Sequence, residues 1–323
     1  MNVPLYQEYA SSTVLFETVV IVTKATVLEE LVKRFNTQAQ AKFYLEHAGQ
    51  DFEAIRGKHE EYTQIVTQVR NAIPRGFRVQ VLDRSLLPQY VFTKSDLIVV
   101  IGPDGLVVNT AKYVNENQPI VAVNPDTTAI DGVLLPFTRE SIFNGLEKTL
   151  LGKFRVKEIT MAEVRLNDGQ TLLAFNDLFI GAQSHVSARY DIRQGEKFEH
   201  HSSSGVIVST GAGSTGWLRS VYAGATAIVE ALGGKVTPPP NNGSIPWDSE
   251  YLIYSVREPF PSKSTQAQMV YGVITQDKPL IVTSNMASGG TIFSDGVEAD
   301  RVEFNAGIIA NIGLAKQRTH LVV

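Results

Sequence analysis

The chain is predicted to fold as an α/β N-terminal domain with a mostly parallel sheet, followed by a β-rich C-terminal domain. Up to about Pro136, short β-branched runs alternate with segments of helical period. Beyond about residue 150, short apolar runs are separated instead by turn signals such as Asn167-Asp168-Gly169 and Asp295-Gly296. A length of 323 residues also suits two domains better than one. The expected bounds are 1–140 for the α/β domain, 141–310 for the β-rich domain, and 311–323 for a tail able to return to the first.

Taken in order, Glu17 to Thr23 reads as a buried strand, and a helix follows it. Thr26 with Glu29 forms a capping-box pattern, and Leu28, Leu31, Val32 and Phe35 fall on one helical face. Tyr62, Ile65, Val66, Val69 and Ile73 keep helical spacing, so Phe43 to Ile73 reads as packing helix with a solvated charged face. Pro74 and Gly76 end it before a strand at Arg78 to Leu82. Leu97 to Ile101 is a continuous apolar run, as in a strand buried on both faces. A helix over Leu106 to Val114 and a strand over Ile120 to Val123 complete the layer. In the second half, strands are expected at Glu158 to Arg165, Thr171 to Ile180, Gly205 to Ser209, Leu280 to Ser284 and Arg301 to Phe304. One helix, Trp217 to Leu232, ends at Gly233-Gly234, and Pro238 to Pro246 reads as an exposed loop.

Composition narrows the partners. With 43% hydrophobic and 19% charged residues the chain can bury a large core, and its net charge of -4 with no basic cluster argues against nucleic acid. No apolar run reaches the ~18 residues of a membrane span, and Met1 to Thr13 lack the basic start of a signal peptide. Cysteine is absent, which excludes disulfides and thiolate metal sites and suits a cytoplasmic protein.

Three segments carry chemistry. In Ser95 to Asn109, Gly102 and Gly105 flank Asp104 directly after the apolar run, which delivers a carboxylate to the ligand-binding edge of a parallel sheet. Pro103-Asp104-Gly105 is equally good turn chemistry. In Leu172 to Gly181, Asn176 and Asp177 interrupt an apolar strand, so they either cross-link loops or face a polar ligand. In Gly205 to Trp217 a strand enters a loop of small hydroxylated residues ahead of a helix, an arrangement that favours an anion such as phosphate. Gly211 to Gly216 matches G-x-G-x-x-G, but no acid closes a second strand about 20 residues later, so a Rossmann dehydrogenase is not supported.

Together these segments resemble the NAD kinase family. Its Gly-Gly-Asp-Gly-Thr loop is matched by Gly102-Pro103-Asp104-Gly105-Leu106, and its Gly-Ile-Asn strand by Ala122-Val123-Asn124. Ala174-Phe175-Asn176-Asp177 is similar to the family's Ala-Leu-Asn-Asp/Glu strand, and Ser209 to Trp217 to its Ser-Thr-Pro-Thr-Gly-Ser-Thr-Ala-Tyr loop. The closing Asp-Gly hairpin recurs at Asp295-Gly296, and the likeness covers roughly residues 95–323.

The resemblance implies an NAD kinase-like two-domain fold and ATP-dependent phosphorylation of the adenosine 2′-hydroxyl of NAD to NADP, with Mg²⁺ accompanying ATP. It also implies a homodimer or homotetramer with nucleotides bound between its domains. Asp104 corresponds to the base that activates the hydroxyl, a sensible role because that hydroxyl loses a proton as it attacks phosphorus. Gly102, Gly105, Asn124, Asn176, Asp177, Thr210, Ser214, Thr215, Gly216 and Trp217 correspond to substrate-binding positions. No metal-ligating residues are assigned. The chain departs from the family pattern at Pro103, Leu106 and Ser204, where the family has glycine, threonine and aspartate. Those departures leave two alternatives, a non-catalytic nucleotide-binding protein of the same fold and a kinase for another hydroxyl of a sugar, nucleoside or lipid.

Other motifs carry less. Gly152-Lys153 is followed by Phe154, so no P-loop is present. His200-His201 reads as solvated surface in a polar loop, and His185 lacks a nucleophile elbow.

Overall fold

The computed structural model describes residues 16–323 except 116 and 238, together with the short strand Gln7–Glu8; of 240, 242 and 299 it describes the backbone only. Apart from that strand, the Met1 to Thr13 segment lies outside the described residues. The chain forms two compact units, Met1–Lys157 with Thr319–Val323, and Glu158–Arg318.

The first unit is an α/β layer. Strands β1 (Thr18–Thr23), β2 (Arg78–Asp83), β3 (Asp96–Ile101) and β4 (Pro119–Asn124) lie parallel in the order β2-β1-β3-β4. His320 and Leu321 extend the sheet beyond β4, also in parallel. Every residue of β3 and β4 is buried, which is why their sequences run apolar without alternation. Helices α1 (Val27–Phe35), α2 (Gln38–His47) and α3 (Phe52–Ala72) fill the β1–β2 connection. The Thr26–Glu29 capping box is complete. Ile65 and Val69 of α3 seat its apolar stripe on Val19, Ile21, Leu97 and Val99.

Helix α4 spans Asp104–Ala111, so it starts two residues before the expected Leu106 and stops short of Val114. Pro103, extended at φ -73°, serves as its N-cap, and a residue without an N–H is well tolerated at a helix start. Asp104 is therefore the first helical residue and not part of a free turn. At the other end Tyr113 and Val114 donate to carbonyls three residues back, a 3₁₀-type tightening that closes the helix. Helix α5 (Ile142–Leu150) was not legible in the sequence, because Gly145 interrupts a short pattern. That glycine is required by packing, since a Cβ there would run into the Phe137 ring.

The second unit is β-rich and antiparallel. Its strands are β5 (Arg155–Leu166, entering from the first unit), β6 (Thr171–Ala174), β7 (Asp177–Ala182), β8 (Ala188–Gln194), β9 (Lys197–Ser203) and β10 (Val206–Ser209). Helix α6 (Trp217–Ala231) follows. Then come β11 (Leu252–Val256), β12 (Tyr271–Ile274), β13 (Leu280–Ser284), β14 (Gly290–Ser294), β15 (Val297–Glu303) and β16 (Ile309–Val322). One sheet runs β12-β11-β10-β7-β14-β15, and a second layer contains β9-β8-β13-β16. Leu178, Ile180, Val206, Val208, Tyr190, Ile192, Val282 and Ile292 are among the residues of the core these strands share.

Four expectations are corrected here. The single strand expected over Thr171 to Ile180 is two, β6 and β7, because the Asp295 carboxylate takes the backbone N–H groups of Phe175, Asn176 and Asp177 and turns the chain between them. The expected strand at Arg301 to Phe304 is β15, which starts at Val297 directly after the Asp295-Gly296 turn. Pro238 to Pro246 is not simply exposed: Pro240–Gly243 forms a 3₁₀ turn, and Ile245 is buried against Leu218 and Ile253, while Pro238 lies outside the described residues. His200 and His201 lie in β9, where strand alternation exposes His200 and buries His201 at 2% exposure. His201 Nε2 meets Glu199 Oε2 at 2.8 Å.

Candidate active site

In the first unit β1 has β2 on one side and β3 on the other, so the chain reverses its winding at β1 and β3. Open parallel sheets bind ligands outside the carboxyl ends of the strands at such a switch point. Lys24 leaves β1 there and Gly102-Pro103 leaves β3, and both line a pocket of about 270 Å³. Lys58 and His59 of α3 and Asp126 from the β4 exit add polar groups, and Val27, Ile55 and Ile130 add apolar surface. Tyr62 fixes the geometry: its hydroxyl donates to the Ile101 carbonyl at 2.8 Å and accepts the Lys24 N–H at 3.2 Å, tying α3 to the ends of both strands. Burial pushes the Tyr62 phenol up to about 12, so it stays protonated as a donor. His59 Nδ1 lies 2.8 Å from Thr26 Oγ1. The Asp126 carboxyl is held below the usual range, first by the Thr128 hydroxyl.

Asp104 stands at the head of α4, half-buried, and one carboxylate oxygen accepts the Leu134 N–H at 2.6 Å. Gly102 donates to the Val123 carbonyl at 3.2 Å, which brings the β3 and β4 exits together. Asn124, buried, uses its amide on its own loop: Nδ2 donates to the Ile130 carbonyl at 3.0 Å and Oδ1 accepts the Asp126 N–H at 3.0 Å. It shapes one rim of the pocket. Leu106 is buried in the core beneath Gly102.

The second unit gathers a separate set. Asp295 sits at φ 56° and Gly296 at φ 69°, the pair of left-handed residues a tight hairpin turn requires. The Asp295 carboxylate accepts from Phe175 at 3.0 Å, Asn176 at 2.6 Å and Asp177 at 3.2 Å. Thr210 ties the next loop to the same bend, its N–H donating to the Asn176 carbonyl at 2.9 Å and its hydroxyl to the Phe175 carbonyl at 2.6 Å. The Ser214 hydroxyl donates to the Gly211 carbonyl and accepts the Ile245 N–H. Gly211 and Gly213 are needed for close approach, because a Cβ would strike the Pro246 and Asn176 carbonyls respectively. That contact accounts for the G-x-G spacing without a dinucleotide fingerprint.

Within this set the hydroxyls of Thr210 and Ser214 are engaged internally, whereas Thr215 and Gly216 are exposed. The Asn176 amide is half-buried and makes no side-chain hydrogen bond among the described residues. Asp177 Oδ1 is shielded from solvent with no hydrogen-bond partner. Burial, opposed by Ser209 and reinforced by the Asp295 charge, pushes the Asp177 carboxyl up to about 7. The Trp217 ring stacks on Phe179 at 5.8 Å with 12° between planes, and the Arg257 guanidinium lies 5.4 Å from its centroid. Sequence reasoning did not single out Lys24, Lys58 and His59, and read Tyr62 only as part of a packing helix. Lys24 had a signal, its place just past the first strand, but the α3 residues carry no local motif.

No family model matches the chain. Curated relatives do, among them a probable NADH kinase of Oryza sativa subsp. japonica, 25% identical over 221 residues that span 61% of this chain and 62% of the rice protein. The NAD kinases of Heliobacterium modesticaldum and Geotalea daltonii are 33% identical over 144 residues (42% of this chain) and 31% over 131 (38%). The chain spans 49% and 45% of those two proteins. A solved structure of yeast NADH kinase complexed with NADH is similar with a TM-score of 0.57 at 14% identity, covering 95% of this chain and 83% of that one. The chain is similar in sequence to NAD and NADH kinases over part of their length and shares their fold. An NAD kinase from Archaeoglobus fulgidus in complex with ATP shares the fold at a TM-score of 0.52 and 18% identity, covering 95% of this chain and 94% of that one. The two units are those of the NAD kinase fold, an α/β layer with a mostly parallel sheet and a β-rich antiparallel domain.

Proposed function

We propose that this protein is an NAD kinase-like phosphotransferase that moves the γ-phosphoryl group of ATP to the adenosine 2′-hydroxyl of NAD or NADH. The observation that carries this reading is Asp104 at the head of α4, beside a pocket at the switch point of a parallel sheet. Asp104 accepts the proton of the attacking hydroxyl as its oxygen bonds to phosphorus and ADP departs with the electrons of the broken P–O bond. Lys24 and Lys58 supply positive charge at the pocket for donor phosphates. The free amide of Asn176 and the unpartnered oxygen of Asp177 are the groups of the second unit suited to hold the dinucleotide, with Trp217 as apolar surface.

Mg²⁺ enters with the phosphates of ATP as part of the substrate. We further propose a cytoplasmic homo-oligomer. Its support is the cysteine-free composition and the apolar helix α6, of which only Leu218 is buried while Ile228, and Leu232 just past its end, lie open.

The test is incubation with Mg-ATP and NAD, NADH or nucleosides, with products identified by mass and the assembly sized by light scattering. NADP or NADPH formation is expected. Asp104→Asn is expected to lower turnover by about 10²-fold or more with little change in nucleotide affinity. Equal losses in both would reduce Asp104 to a binding residue.

A further inference from the structure

Strands β7 and β14 carry Asp177 and Asp295 at one end, and a second polar cavity opens at the other. Pairing sets Leu178 opposite Ser294 and Gly181 opposite Thr291, so Gln183 lies roughly 20 Å along the strand from Asp177. The cavity measures about 160 Å³ and is lined by Ala182, Gln183, Thr291, Phe293, Glu298 and Arg301.

Thr291 is the informative residue. It is only 2% exposed and its Oγ1 has no hydrogen-bond partner. Buried hydroxyls are nearly always partnered, because leaving one orphaned forfeits its hydration with nothing in return. Here the orphan borders a cavity and not packed side chains. Arg301 and Glu298 border the same space, and neither joins an ion pair among the described residues. The Gln183 amide likewise makes no side-chain hydrogen bond there.

The donor set defines a ligand. The Arg301 guanidinium is a planar fork matched to a carboxylate, and the Gln183 amide and Thr291 hydroxyl add further donors. Glu298 only accepts, so it repels a bare dianion such as phosphate and favours a ligand that also carries a donor. Phe293 offers apolar surface for a short side chain. We propose that this cavity is a binding site for a small carboxylic acid bearing an adjacent ammonium or hydroxyl group, an α-amino or α-hydroxy acid. It does not rest on the kinase reading, since none of its residues belongs to the site assigned to nucleotide.

Thermal unfolding of the full chain with L-serine, glycine or L-lactate at about 10 mM tests this, with acetate, methylamine and inorganic phosphate as controls. At least one of the three acids is expected to raise Tm by about 2 °C or more, and the controls to leave it unchanged. Arg301→Gln, a surface change, is expected to abolish that rise. Thr291→Val removes the orphan hydroxyl at nearly constant volume, so it is expected to raise the Tm of the free protein while weakening the acid about 10-fold. No rise with any of the three acids overturns the site. So does an equal rise with phosphate or acetate, which marks an adventitious anion only, or a rise that survives Arg301→Gln.

Discussion

Asp295 and Asp177 are joined in both directions across the β7–β14 pair: Asp295 donates its backbone N–H to the Asp177 carbonyl at 2.9 Å, and its carboxylate accepts the Asp177 N–H at 3.2 Å. The two carboxyl groups thus sit in one shielded neighbourhood but in opposite conditions. Asp295 is surrounded by three N–H donors, which stabilise its charge. Asp177 has a buried oxygen with none.

Stability is therefore expected to fall as pH rises from about 4 to about 7. The folded Asp177 holds its proton up to about 7, while the unfolded chain releases it near 3.8, so the folded state binds more protons in that window and each step upward favours unfolding. Above pH 7 the penalty is constant. Asp177→Asn should remove it, raising stability at pH 8 by as much as roughly 4 kcal/mol, three pKa steps at 1.36 kcal/mol each. Urea unfolding of both proteins at pH 4, 6 and 8 decides: parallel curves across pH would mean that Asp177 does not carry the proton.

Asp295 separates charge from turn geometry. Asn tolerates the left-handed backbone at 295, so Asp295→Asn keeps the hairpin and one acceptor oxygen while removing the charge beside Asp177. The apparent pKa of Asp177, followed by carboxyl NMR, is expected to drop toward its ordinary value. Asp295→Ala loses all three N–H contacts and adds left-handed strain, at a cost of about 3 kcal/mol or more. A pKa unmoved in Asp295→Asn would leave burial as the sole cause of the Asp177 shift.

These residues also mark where sequence reasoning works and where it stops. The β3 and β4 strands were legible because full burial leaves an uninterrupted apolar run, and α1 because its cap is local. Asn176-Asp177 stood out as polar residues in an apolar strand. What interrupts that strand is a carboxylate 118 to 120 residues away, and no local propensity encodes it. The start of α4 was misplaced because Pro-Asp-Gly is turn chemistry and helix start at once. The loop before β11 was misread because Ile245 owes its burial to Ser214 and Leu218, distant partners that outweigh Pro and Gly composition.

Lys58 should matter for the donor alone. It lies at the pocket beside Gly102-Pro103 and on the exposed side of α3, so Lys58→Met removes its charge with little effect on packing. The KM for Mg-ATP is expected to rise about 10-fold, with the KM for NAD nearly unchanged, and the effect should shrink at high salt. Equal rises in both constants, or none, would remove the donor phosphates from this pocket.

Pro103 gives the sharpest test of the role proposed for the Gly102 to Leu106 loop. As N-cap of α4 it contributes no N–H, whereas a glycine there restores a donor at the helix terminus beside the pocket. A donor aimed at the transferring group is worth roughly 2.7 to 4 kcal/mol in the transition state of related chemistry, so even an imperfectly aimed one should be measurable. Pro103→Gly is expected to raise NADP formation several-fold. Stability should move the other way, by about 1 kcal/mol, because φ -73° suits proline and glycine frees the unfolded chain. Leu106 should not be changed at the same time: it is 2% exposed and packs under Gly102, so Leu106→Thr would cost about 2 kcal/mol or more of core packing and blur the reading. With Pro103→Gly alone, turnover and Tm report separately. A lower Tm with faster turnover assigns the missing N–H to catalysis, whereas a lower Tm with unchanged turnover means that residue 103 makes no contact with the transferring phosphate.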